Sequence, residues 1–115
     1  MNGKEMKQKL LEIFGQQIKI NKEFEDYFDD LKDGMKEDFL KWCLDCKNDI
    51  ALGSIPVKKK FRDLYIFFRK IGNSTRAILI KRKNDGFIEL ILTNHKYYDE
   101  KRLELGYKKS SHYGS

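Results

Sequence analysis

The apolar positions of this chain change period about halfway along. From residue 3 to residue 48 they recur at three- and four-residue intervals, the spacing of one face of a helix. From residue 61 to residue 98 they come in runs and alternations of strand length. Met6, Leu10, Leu11, Ile13 and Phe14 form one broad stripe that predicts a helix over 3–14, with Gly15 placed to end it. Gln16 to Ile20 is short and alternating, with Ile18 and Ile20 on one side, which predicts a strand. Asn21 reads as the N-cap of a second helix, with Glu23 and Glu25 where the helix dipole favours acids. Phe24, Tyr27, Phe28 and Leu31 follow at helical spacing, and Asp33-Gly34 breaks the pattern. A third helix is expected at about 35–48, its apolar side made by Phe39, Trp42, Cys43 and Cys46. Gly53, Ser54 and Pro56 mark a linker.

The second half reads as an antiparallel three-strand meander. FRDLYIFFRK, RAILIKRK and FIELILT are separated by Gly72-Asn73-Ser74 and Asn84-Asp85-Gly86, residues that tolerate positive φ in tight turns. Period-2 alternation puts Ile88, Leu90 and Leu92 on the helix-covered face, with Glu89 and Thr93 on the other. Asp99 to Leu105 is predicted as a short helix ended by Gly106, and the tail 107–115 as polar and mobile at its tip. The fold class is α+β. An antiparallel sheet with a β-α-α-β-β-β core carries a helical hairpin on one face and an extra N-terminal helix, in one domain spanning 1–115.

Charge sharpens this picture. The net charge is +6, yet residues 1–55 hold nine Lys/Arg against twelve Asp/Glu, and residues 56–115 hold fifteen against six. The basic half coincides with the meander. A one-sided basic surface suits a polyanion such as nucleic acid, with a solvated lysine-rich surface or an acidic protein partner as the alternatives. The expected nucleic-acid-binding set is Lys58, Lys59, Lys60, Arg62, Arg69, Lys81, Arg82 and Lys83. No stretch approaches the ~20 apolar residues of a membrane span, so no membrane partner is expected. The N-terminus lacks the apolar core of a secretory signal, and two cysteines in such a chain suit a reducing compartment. The expected location is the cytoplasm.

Candidate chemistry narrows by elimination. Cys43-Leu44-Asp45-Cys46 has no second ligand pair for zinc and falls mid-helix, so it reads as buried structural thiols. The acidic run 25–38 has Leu31 and Leu40 where a calcium loop needs oxygen ligands. There is no Gly-rich phosphate loop, nucleophile elbow or HExxH, so no metal or other cofactor is implied. RNA cleavage by the neighbouring 2′-hydroxyl needs none, because the substrate supplies the nucleophile. The protein must move two protons and neutralise a crowded phosphorane. Arg76, His95, Lys96, Tyr97 and Tyr98 supply that kit if the second and third meander strands are adjacent. The alternative is that His95 and the tyrosines merely close the sheet.

The order of elements over about 16–106 resembles the RelE/ParE superfamily of small basic toxins. QQIKI is similar to that family's first strand, NKEFEDYFDDLKDGMKEDFLKWCLDCKND to its helical hairpin, and the segment from Phe61 to Arg102 to its terminal meander. The resemblance implies a toxin of a toxin–antitoxin system: a metal-independent endoribonuclease that cuts mRNA on the ribosome and is silenced by a cognate antitoxin. By resemblance Arg76 matches the arginine that opens the third core strand, and Lys96 or His95 the basic residue after the last strand. Tyr97 or Tyr98 matches a late aromatic acid/base. Lys96 stands where RelE itself has arginine, and the helix at 3–14 is extra. Relatives of the ParE type share the fold and poison gyrase without cutting RNA, so a non-catalytic toxin or nucleic-acid-binding module is the alternative.

Overall fold

The structure, a computed structural model, describes residues 1–108. The expectation for the tail falls, from residue 109 on, outside the described residues. The elements in chain order are α1 (Gly3–Phe14), β1 (Ile18–Ile20), α2 (Phe24–Asp29), α3 (Asp33–Lys47), a 3-10 turn (Lys59–Phe61), β2 (Leu64–Ile71), β3 (Thr75–Arg82), β4 (Ile88–Asn94) and α4 (His95–Glu104). The fold is α+β, with four strands in the spatial order β1-β4-β3-β2.

α1 starts where its sequence can cap it. Asn2 Oδ1 accepts from Glu5 N at 2.8 Å, and Glu5 Oε1 accepts from Asn2 N at 2.9 Å, a reciprocal capping box. It ends at Gly15, whose φ of 79° a glycine adopts without strain. Gly3 lets α1 close on α2, since a Cβ there would stand 2.6 Å from Glu25 Cα.

Four expectations about strand direction, caps and helix starts are corrected. The sheet is mixed, not antiparallel: β1 runs parallel to β4, with Ile18 opposite Ile88 and Ile20 opposite Leu90. Asn21 does not cap α2. Its amide spans β4 instead, Oδ1 accepting from Leu92 N at 3.0 Å and Nδ2 donating to Leu92 O at 2.8 Å, which prolongs the β1–β4 ladder past Ile20. Asp33-Gly34 opens α3 where a break was expected, Asp33 lying in the favourable first turn. Finally, α4 begins at His95 and not at residue 99. Asn94 caps it, Oδ1 accepting from Tyr97 N at 2.8 Å, so His95 to Tyr98 form a helical first turn.

The helices cover both faces of the sheet, where one covered face was expected. α1, α2 and α3 bury Phe24, Phe28, Phe39 and Trp42 against Phe67, Leu79, Leu90 and Leu92. α4 covers the opposite face, where Ile66, Ile78, Ile80 and Ile91 meet Tyr98 and Leu105. The strands carry the signal for this. Thr75 to Ile80 are six consecutive buried residues, the last four of them apolar, and an unbroken buried run belongs to a strand covered on both sides. The β4 register is as expected, with Ile88, Leu90 and Leu92 in the helical-hairpin core and Glu89 on the α4 side beside Ile80 and Leu105.

Candidate nucleic-acid interface and catalytic cluster

The tight β2–β3 turn, with Gly72 at φ 65°, delivers Arg76 to the second position of β3. β3 and β4 are neighbours, and Arg76 lies directly opposite Thr93. By alternation Arg76 shares the face of Ile78 and Ile80, the one under α4. It is 5% exposed. Nη1 donates to Thr75 O at 3.0 Å and more distantly to Asn73 O at 3.4 Å. Nε is buried and has no hydrogen-bond partner among the described residues. Leaving one such buried donor unpaired costs on the order of 1–3 kcal/mol.

Two residues beyond Thr93, α4 begins. His95 Nε2 lies 3.2 Å from Asp99 Oδ2, one helical turn on. The His95 side chain is half exposed while that of Asp99 is mostly covered. An imidazole whose second partner is a fixed carboxylate is the arrangement of an oriented base. Lys96 and Tyr97 are exposed. Tyr98 is not: it is 1% exposed and packs edge-on to Phe68, ring centres 5.6 Å apart. Burial raises its phenol pKa above the ordinary value, partly opposed by the charges of Arg102 and Arg76. The structure therefore places Arg76, His95 and the two tyrosines at one corner of the sheet. It divides the tyrosines, Tyr97 facing solvent and Tyr98 the core.

The basic set is scattered over several surfaces. Arg69 and Lys81 lie on the helical-hairpin side, where Arg69 approaches Asp38 at 3.7 Å and Lys81 meets Asp49 at 3.0 Å. Lys81 also sits over the Phe67 ring at 5.5 Å. Arg82 is held by both oxygens of Asp85, at 3.0 and 2.8 Å, and its guanidinium holds that carboxyl down to about 2. Lys58 donates to Glu104 O at 2.9 Å. Lys59, Lys60, Arg62 and Lys83 are exposed, Lys60 lying over the Phe61 ring at 5.0 Å. Lys58 to Arg62 are consecutive about the 3-10 turn and make a compact basic segment beside the end of α4.

Two positions of the candidate site escaped the sequence reading. Asp99 orients His95. Arg102 lies over three rings, those of Phe68 at 4.5 Å, Tyr107 at 5.5 Å and Tyr98 at 5.7 Å, and Nε donates to Lys108 O at 2.8 Å. Both follow their partners by four residues, the spacing that brings side chains together on a helix. The signal was present but needed a helix starting at His95 to be legible.

Cys43 and Cys46 are free thiols, both fully buried. Burial pushes Cys46 up to about 12 and Cys43 well above its ordinary value. Among the described residues no three His, Cys, Asp or Glu side chains gather as a metal site, and no helix is long and apolar enough to cross a membrane. No protein-family profile, curated protein or solved structure matches the chain.

Proposed function

We propose that this chain is an endoribonuclease toxin of the RelE type, cutting mRNA on the ribosome without a metal and restrained by a cognate antitoxin protein. The reading takes 16–106 as a β-α-α-β-β-β core, on the succession β1, α2, α3, β2, β3, β4. The observation that carries it is the register that sets Arg76 opposite Thr93, two residues before the α4 turn that bears the His95–Asp99 pair. A buried cation with an unmade bond, on the strand beside the one that runs into the His95 turn, is the sort of local loss that functional sites sustain.

In this reading the substrate 2′-oxygen attacks the adjacent phosphorus and the bond from phosphorus to the 5′-oxygen breaks. A 2′,3′-cyclic phosphate and a free 5′-hydroxyl result. His95, oriented by Asp99, takes the 2′-hydroxyl proton. Lys96 or Tyr97 gives a proton to the leaving 5′-oxygen, since both are exposed in the same turn. Arg76 neutralises the phosphorane, where charge builds beyond that of the diester. Tyr98 stays a protonated phenol and holds α4 to the sheet.

Arg76→Ala is expected to lower cleavage by roughly 10²–10³, the loss typical of one transition-state donor. Primer extension on mRNA in a translating extract measures it. Ribosome binding should fall far less, because other lysines and arginines share that task. Arg76→Lys should not restore the rate, lacking the planar fork. A folded Arg76→Ala protein that cuts at full rate would end the assignment.

One set of observations favours a second reading, a non-catalytic toxin or nucleic-acid-binding module. Arg76 and Tyr98 are covered, and Arg69, Lys81 and Arg82 face carboxylates. On that reading Lys58 to Arg62 carry the binding. Charge reversal there would abolish RNA association while Arg76→Ala would leave it intact.

A further inference from the structure

A cavity of about 370 Å³ opens where the β1–α2 junction, β4 and the first turn of α4 meet. That volume lies within the roughly 300–1,000 Å³ range of small-ligand sites. Ile91 and Thr93 contribute from the sheet, Glu23 and Tyr27 from the α2 side, Asn94 and Tyr97 from the start of α4. Asn94 ties the two tyrosines into one frame: Nδ2 donates to the Tyr27 hydroxyl at 3.0 Å, and Oδ1 accepts from Tyr97 N at 2.8 Å. The Tyr27 oxygen is thus an acceptor here, and its own hydrogen is left to donate.

The polar inventory is lopsided. The neighbouring Asn21 amide is spent on both main-chain groups of Leu92. It reaches Glu23 Oε2 only at 3.5 Å. Glu23 caps no α2 amide, so its carboxylate keeps free acceptor capacity at the cavity rim. The site offers two aromatic rings, an anionic pair of acceptors, a phenolic donor and a floor of Ile91 and Thr93.

We infer that this cavity receives an unpaired guanine base of a single-stranded RNA. Unstacked bases are held on aromatic side chains and read along their Watson–Crick edges. Of the four RNA bases only guanine presents two adjacent N–H donors there, N1–H and the N2 amine, which match the two oxygens of one carboxylate. Its neighbouring O6 accepts from a phenol. Adenine and cytosine show a single amino donor beside an acceptor nitrogen. Uracil shows one imide N–H between two carbonyls that a carboxylate repels. A carboxylate at the rim of a cavity lined, among the described residues, by no cationic side chain disfavours a phosphate, so the base enters and its phosphate stays outside. The inference rests on the ribonuclease reading for its RNA and on the cavity for its base. Glu23 then sets which nucleotide lies beside the cleaved bond.

The test reads binding without cleavage. The full chain is titrated with guanosine, 5′-GMP, 5′-AMP, 5′-CMP and 5′-UMP, and amide shifts are followed by NMR. Guanosine and 5′-GMP should move residues 21–27 and 91–97 and bind about tenfold or more tighter than the other nucleotides, the discrimination of one bidentate contact. Glu23→Gln should remove that preference. Because Glu23 is exposed and makes no cap bond, the variant keeps the fold. Tyr97→Leu should weaken all bases alike. Equal binding of the four nucleotides, 5′-GMP binding without guanosine binding, or an unchanged preference in Glu23→Gln would overturn the inference. Guanine-selective binding in a protein that cuts no RNA would overturn the ribonuclease reading and leave the pocket. Cleavage without guanine preference or guanosine binding would do the reverse.

Discussion

Under α1, α2 and α3 the sheet meets an aromatic interior, in which Phe39 touches Phe24, Phe28 and Trp42 at ring separations of 5.7, 5.8 and 6.2 Å. Under α4 the same strands meet a mixed one. Isoleucines still pack there, but Arg76 and Thr93 are buried among them, and Arg102 sits over three rings. The first face follows the rules for a core: large apolar groups, close contact and, among the described residues, no buried cation. The second breaks one of them at Arg76, whose Nε is left without a partner. Stability explains the first face and not the second, so function is sought under α4.

The sharpest way to break this contrast is to excavate the first face. Phe39→Ala removes the ring at the centre of the aromatic cluster, on the longest helix. It is expected to cost about 3–5 kcal/mol, the range for a buried phenylalanine replaced by alanine. Urea unfolding followed by far-UV circular dichroism measures it. A loss below about 1 kcal/mol would mean that the cluster is not the stabilising centre and that the faces are energetically alike.

Why one face was legible and the other only in part is a matter of range. The helices of the first face announce themselves through local period, and the β4 register through Ile88, Leu90 and Leu92. Both signals are contained in a window of a few residues. The start of α4 was missed because His95-Lys96-Tyr97-Tyr98 has no apolar period and its cap, Asn94, also reads as a strand end. With α4 started four residues late, the His95–Asp99 and Tyr98–Arg102 spacings had no helix to sit on. Asn21 was misread for a different reason. Its partner is Leu92, seventy-one residues away, and no local pattern distinguishes an amide that caps a helix from one that extends a sheet. The ion pairs of Arg69 and Lys81 were hidden for the same reason, since Asp38 and Asp49 lie more than thirty residues away in sequence.

Arg76→Met tests the second face by the sign of its effect. Methionine keeps roughly the apolar stem of arginine and removes the unpaired buried donor together with the rest of the guanidinium. Replacing a poorly compensated buried charge with an apolar group is often neutral or stabilising, so stability should hold or rise by roughly 1 kcal/mol. Cleavage should fall as in Arg76→Ala. A gain in stability with a loss of cleavage is the signature of a residue kept for function. A fall of more than about 2 kcal/mol in the urea experiment would instead make Arg76 a structural residue and erase the contrast.

The smallest effect separates the faces by titration. Burial raises the pKa of Cys43 and Cys46 on the first face and of Tyr98 on the second. In each case the fold favours the protonated form. The stability this contributes is therefore complete below the unfolded value and is lost as pH rises through the folded one. For the thiols the decline begins near the ordinary value of 9.0 and, for Cys46, runs to about 12. For Tyr98 it begins near 10.0. Urea midpoints at about pH 8, 9.5 and 10.5 should drop in that order. The first drop should vanish in a Cys43→Ala, Cys46→Ala protein and the second shrink in Tyr98→Phe. At about pH 8 an aromatic disulfide reagent should label the thiols only as fast as the protein opens, because neither thiolate is exposed or stabilised in the fold. Labelling at the speed of a free thiol in the folded protein would show α3 opening on its own. The first face would then be the mobile one, and the case for placing function under α4 would lose its structural foil.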